Sequence, residues 1–122
     1  MTRFRIITPA YNCQEEIEQT ILSVVGQSYK DWKMTIIDDM STDSTYDTCN
    51  QICKKLGVEE KIEVIKRDQK HGEVKNTLVE VKKLEDEDVV VRLDAGDWIT
   101  DLGCFQIISD IYEKHNPAVL WT

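Results

Sequence analysis

Short apolar runs alternate with amphipathic stripes along this chain, and that alternation restricts the fold more than any other feature. Phe4-Arg5-Ile6-Ile7-Thr8 reads as a first strand, ended by Pro9, which has no N–H to give to a ladder. Asn12 is placed to cap a helix whose first turn carries Glu15 and Glu16, favourable at the positive end of the dipole. Ile17, Ile21, Val24 and Val25 share one face of that helix. Trp32 to Ile37 is a second strand, followed by the cap-type residues Ser41, Thr42 and Asp43. Tyr46, Cys49, Cys53 and Leu56 form the next stripe, which Gly57 ends. Ile62-Glu63-Val64-Ile65 is a third strand, and Val74, Leu78, Val81 and Leu84 mark a third helix. Val89-Val90-Val91-Arg92-Leu93 reads as a buried fourth strand. Leu102, Phe105, Ile108, Ile111 and Tyr112 mark a fourth helix, closed by Asn116-Pro117, and Ala118 to Trp121 a fifth strand.

Strand and helix in turn imply an α/β fold: parallel strands, with crossover helices on both faces of the sheet. The 122 residues suit one domain, residues 1–122, large enough to bury a core. In such sheets ligands bind beyond the carboxyl ends of the strands, where the strand order reverses. Four loops lie there: Pro9-Ala10-Tyr11-Asn12, Asp38-Asp39, Arg67-Asp68 and Asp94-Ala95-Gly96-Asp97. No Gly-rich phosphate fingerprint follows the first strand, which disfavours a dinucleotide or Walker-type site.

The last of these loops is the most suggestive. Two carboxylates, Asp94 and Asp97, flank the two smallest residues, so a ligand can approach the backbone. Oxygen donors of this kind suit a hard divalent cation. The same pattern also fits a strand followed by an Asp helix cap. The formal charge of −8 argues against nucleic acid, which selects basic surfaces. It is also an odd balance for a phosphate binder unless a cation lies between protein and phosphate. No stretch approaches a membrane span, and the N-terminus lacks a signal peptide's apolar core. Cys13, Cys49, Cys53 and Cys104 show no paired metal spacing, so reduced thiols and a cytoplasmic location are expected. Cys49 and Cys53, one helical turn apart, suit packing.

Three motifs carry a resemblance. Thr8-Pro9-Ala10-Tyr11-Asn12, Ile37-Asp38-Asp39-Met40-Ser41-Thr42-Asp43 and Leu93-Asp94-Ala95-Gly96-Asp97-Trp98 are similar, in order and spacing, to those of the inverting glycosyltransferases of family 2, which have the GT-A (Rossmann-like) fold. The similarity runs from about Arg3 to the end, and covers that family's donor-binding half. It implies a nucleotide-diphosphate sugar as ligand, a UDP-sugar first, and Mn2+ or Mg2+ as cofactor. By position, Pro9, Ala10, Tyr11 and Asn12 match the loop that holds the nucleobase. Asp39 matches the acid that accepts from the uracil N–H, and Asp38 its companion, more often a partner for the adjacent loop. Asp97 matches the metal ligand, and Asp94 the preceding acid, which reaches the ribose or the metal shell. Ala95 and Gly96 fill out the donor-binding loop.

There are departures. Many family members carry an acid where this chain has Gly96, so one oxygen donor is missing. Lys75 matches a diphosphate contact only across a short gap, and Lys70 and His71 compete for the role. Arg92, inside an apolar strand, suggests a structural ion pair, and His115 a helix-end cap. Family members continue past the fifth strand into an acceptor half that supplies the catalytic base, and no base is assignable here. Three functions fit the resemblance: a transferase completed by a partner or second subunit, a UDP-sugar hydrolase using water, or a binding module without chemistry; a minimal donor domain with slow donor cleavage as its intrinsic activity is the expectation. Trp121 near an uncovered sheet flank also suggests a homo-oligomer.

Overall fold

The computed structural model describes residues 2–70, 72, 75, 79–84 and 88–115, apart from the side chain of His115. The elements are β1 (Arg3–Ala10), α1 (Ile17–Val25), β2 (Trp32–Asp38), α2 (Thr45–Leu56), β3 (Ile62–Lys66), β4 (Asp88–Arg92) and α3 (Cys104–His115). All strand pairs are parallel and the order is β3-β2-β1-β4. The chain moves outward from β1 through β2 to β3, then returns to place β4 on the other side of β1. The gap between β1 and β4 is therefore the point where the order reverses.

Strand alternation sends Phe4, Ile6, Met34, Ile36 and Ile62 to one face. There they meet Ile17, Ile21 and Val24 of α1, Cys49, Ile52 and Cys53 of α2, and Phe105 of α3 in one core. Phe105 stacks on Phe4 at 4.7 Å between ring centroids, and Tyr29 meets the same ring edge-on. Ile7 and Ile37, which alternation points to the opposite face, are also buried, so that face is covered as well. In the helical stretch 79–81 the buried Glu80 pairs with Arg67, just past β3. Gly57 ends α2 in the left-handed region at φ 69°, as its place after the stripe predicts. All four cysteines are free thiols, with Cys49 and Cys53 in the core. No helix among the described residues is long and apolar enough to cross a membrane.

Three expectations need correction. First, β1 does not stop before Pro9; it continues to Ala10, with Pro9 opposite Ile37 of β2. Residues 7 and 9 of β1 face the β4 side, where the Ile7 and Pro9 carbonyls accept from Leu93 and Ala95. The missing Pro9 N–H thus falls just past the last β1–β4 pair, Ile7 with Arg92, so no ladder bond is lost. Second, β4 is not fully buried. It is the outer strand among the described residues: Val89 and Val91 pack on the core, while Val90 is 39% exposed. Third, Asn12 does not cap α1, which starts at Ile17 with no side-chain cap bond. The third-helix positions Val74 and Leu78, the fifth strand at 118–121 with Trp121, and the His115 cap lie outside the described residues and side chains.

Candidate functional site

Beyond the carboxyl ends of β1 and β4 lies a cavity of about 290 Å3, lined by Pro9, Ala10, Tyr11, Asp39, Lys70, Gly72, Asp94 and Ala95. Backbone hydrogen bonds past the strand ends bring its walls together. Ala95 N–H donates to the Pro9 carbonyl (3.3 Å), and Asp39 N–H to the Ala10 carbonyl (2.9 Å). Ala10 is buried as floor, while Tyr11 stands half exposed at the rim. The Lys70 ammonium lies over the Tyr11 ring, 3.7 Å from its centroid. That is close range for attraction between a cation and an aromatic face.

The two adjacent acids have different tasks. Asp39 is 4% exposed and lines the cavity, and its Oδ2 accepts from the Gly72 N–H at 2.9 Å. A carboxylate has two oxygens and several lone pairs, so it can accept from a ligand as well. Asp38 faces inward from the end of β2 and serves the adjacent loop. Its Oδ1 accepts from the Ser41 N–H (3.3 Å) and from the Ser41 hydroxyl.

Asn12, Ser41, Thr42 and Asp43 fasten two loops to each other. Asn12 has a positive φ of 47°; its Oδ1 accepts from Thr42 N–H at 2.7 Å and its N–H donates to Ser41 Oγ at 2.9 Å. One residue further, Cys13 N–H donates to Thr45 Oγ1, and Gln14 exchanges bonds with Asp43 and Ser44. Asp43 also accepts from Thr45 N–H at the start of α2. The Thr45 hydroxyl bond, and then these backbone bonds, hold the Asp43 carboxyl below the usual carboxylate range. Asn12 does not line the cavity.

The acidic loop is a tight turn. Asp97 N–H donates to the Asp94 carbonyl at 3.0 Å, with Gly96 at φ 98° as its third residue. A positive φ at that place is what a type II turn requires, and glycine takes it readily. An added Cβ would meet nothing nearer than Glu16 Cβ at 3.8 Å, so conformation, not space, favours glycine. Asp94 Oδ1 accepts from Arg92 Nε at 3.0 Å in a partly exposed pair. This is the structural ion pair expected of Arg92; exposed pairs of this kind contribute about 0–1 kcal/mol, so exchange for another partner costs little.

The Asp97 side chain is exposed, and its carboxylate has no protein partner among the described residues. No group of three or more His, Cys, Asp or Glu among the described residues forms a metal site. Mg2+-like ions need only one or two carboxylates when substrate phosphates and water complete the shell. Asp97 and Asp94 are donors of that kind, so the residues present fit such an ion. Lys75 is exposed and does not line the cavity. Lys70, the competitor named from the sequence, does line it, as does Gly72, while His71 lies outside the described residues.

The parallel sheet, the strand reversal beside β1 and the acid-lined cavity there define a GT-A architecture. The match to solved structures agrees. S. aureus TarS in complex with UDP-GlcNAc superposes with a TM-score of 0.79 at 24% identity, over 94% of this chain and 32% of that one. Mannosyltransferase PcManGT from Pyrobaculum calidifontis, in complex with GDP-Man and Mn2+, gives 0.73 at 20% identity, over 82% and 29%. The chain belongs to glycosyl transferase family 2, whose family model matches residues 5–122. The putative teichuronic acid biosynthesis glycosyltransferase TuaG of Bacillus subtilis is 42% identical over 67 residues, 55% of this chain and 25% of that protein. The Escherichia coli enzyme UDP-Glc:alpha-D-GlcNAc-diphosphoundecaprenol beta-1,3-glucosyltransferase WfaP is 47% identical over 47 residues, 38% of this chain and 19% of the enzyme. The chain therefore spans a quarter or less of these relatives.

Proposed function

We propose that this chain is the donor-binding part of a glycosyltransferase that uses a UDP-sugar. The cavity at the strand reversal, where Tyr11, Asp39 and Asp94 converge, carries the proposal. Tyr11 offers a ring on which a base can stack. The base would displace the Lys70 ammonium from that face, and Lys70 rather than Lys75 is our choice for the diphosphate. Asp39 accepts from the uracil N3–H; a neutral cytosine presents an acceptor at that atom and is repelled. Pro9, Ala10 and Ala95, which line the cavity, would stand beside the ribose and phosphates, with Gly96 next in the turn. Asp97, with Asp94, would hold Mn2+ or Mg2+. When bound there, the ion offsets the charge that grows on the departing diphosphate. It also resolves how a chain of net charge −8 accepts an anionic donor. Transfer to an acceptor, rather than hydrolysis, is the activity that the relatives' names support.

Calorimetry with UDP and CDP in the presence of Mn2+ tests this reading. The wild type should prefer UDP, and Asp39→Asn, which supplies a donor, should reduce the preference by about tenfold or more. Equal binding of UDP and CDP by the wild type rejects the assignment.

A further inference from the structure

We propose that Thr20 of α1 is the positioning residue that sets the acidic turn for its cation. This rests on the reading of Asp97 as a metal ligand. The buried stripe of α1 is Ile17, Thr20, Ile21 and Val24, so one hydroxyl stands in an otherwise apolar face. Thr20 is 0% exposed. A hydroxyl sealed from water needs partners within the protein, or it is costly to bury. Its partners are both in the acidic turn. The Thr20 hydroxyl donates to the Asp97 carbonyl at 2.7 Å and accepts from the Gly96 N–H at 3.0 Å.

These two bonds hold the Ala95–Gly96 peptide and the Asp97–Trp98 peptide, and the Asp94–Asp97 turn bond holds the Gly96–Asp97 peptide between them. Together they fix where the Asp97 carboxylate starts from. The carboxylate itself has no protein partner among the described residues, so this backbone frame is what orients it. The fixed frame matters because a cation shared with a diphosphate tolerates little error in ligand position. Thr20 touches neither cation nor substrate in this arrangement; it acts through the backbone of Gly96 and Asp97.

Thr20→Val keeps the shape and removes both bonds, while Thr20→Ser keeps the hydroxyl. UDP binding to the purified protein, followed by calorimetry across a Mn2+ titration and again in EDTA, reads the effect. Thr20→Val should weaken apparent Mn2+ affinity by about 10–100-fold, the range for groups that orient metal ligands. UDP affinity in EDTA should stay that of the wild type, and Thr20→Ser should restore the Mn2+ response. Thr20→Ala replaces the valine variant should that fail to fold. Mn2+ affinity within twofold of wild type overturns the proposal, as does an equal loss of UDP binding with and without Mn2+. Asp97→Ala, run alongside, separates the two levels. If it alone is severe, only the role of Thr20 falls; if Asp97→Ala leaves Mn2+ affinity unchanged, the metal assignment falls and takes the proposal with it.

Discussion

Gly96 and Asp97 have separate requirements that a single turn must meet. Gly96 sits at φ 98°, in the region where an L side chain is strained, although the space around it is open. Gly96→Ala should therefore cost stability through conformation alone, about 1–2 kcal/mol. A shift of the urea midpoint at unchanged slope checks this; an unchanged midpoint would mean that the turn relaxes to another shape. The acid that many family members carry at this place would have to adopt the same positive φ here. The missing oxygen donor noted from the sequence is thus tied to the way this turn is built. Asp38 and Asp39 show the same economy of position. They are adjacent in sequence, yet strand alternation turns one toward Ser41 and the other toward the cavity.

At the scale of elements, the loops are held by side chains from outside them. Gln27, just past α1, is 0% exposed. Its Nε2 donates to the carbonyls of Ser23 and Asp101, and its Oε1 accepts from the Phe105 N–H in the first turn of α3. Asp101 Oδ1 accepts from Gly103 N–H at 2.7 Å in the turn that leads into the same helix. Gln27 therefore joins the end of α1 to the segment between the acidic turn and α3. Gln27→Leu leaves the Phe105 N–H buried without its acceptor. The expected loss is about 1–3 kcal/mol, read as a lower denaturant midpoint. A loss within 0.5 kcal/mol, roughly the range of surface substitutions, would show that another acceptor or water takes over.

Across the whole molecule, the thiol-rich core has a pH signature. Burial, and then the proximity of Cys13, Cys53 and Asp38, pushes the Cys49 thiol up to about 12. Burial raises Cys13 and Cys53 in the same way. An unfolded thiol titrates near pH 8.5, so above that pH the unfolded chain binds fewer protons than the folded one. Stability is then full below about pH 8.5 and falls as pH rises toward 12. The slope from one such thiol is at most about 1.4 kcal/mol per pH unit. Thermal unfolding between pH 8 and 11 should show the decline, and Cys49→Ala should show a shallower one. Parallel curves for the two proteins would exclude Cys49 as a source.

The sequence by itself determined the alternating elements, the parallel sheet and the edge at which the acids collect. These follow from local rules: period two in strands, the helical stripe, and the placement of each loop after a strand's carboxyl end. Only the tertiary structure decided which side of β1 receives β4, and so why Pro9 can lie inside a strand. It also decided that Lys70 enters the cavity while Lys75 does not, and that Asn12 serves the Thr42 loop rather than α1. Thr20 is the plainest case. As a residue type it is merely a polar interruption in an apolar stripe. Its partners lie 76 and 77 residues away, and no local periodicity encodes a bond across that distance. Such a contact exists only because burial forces each polar group to find a partner among whatever the fold brings near.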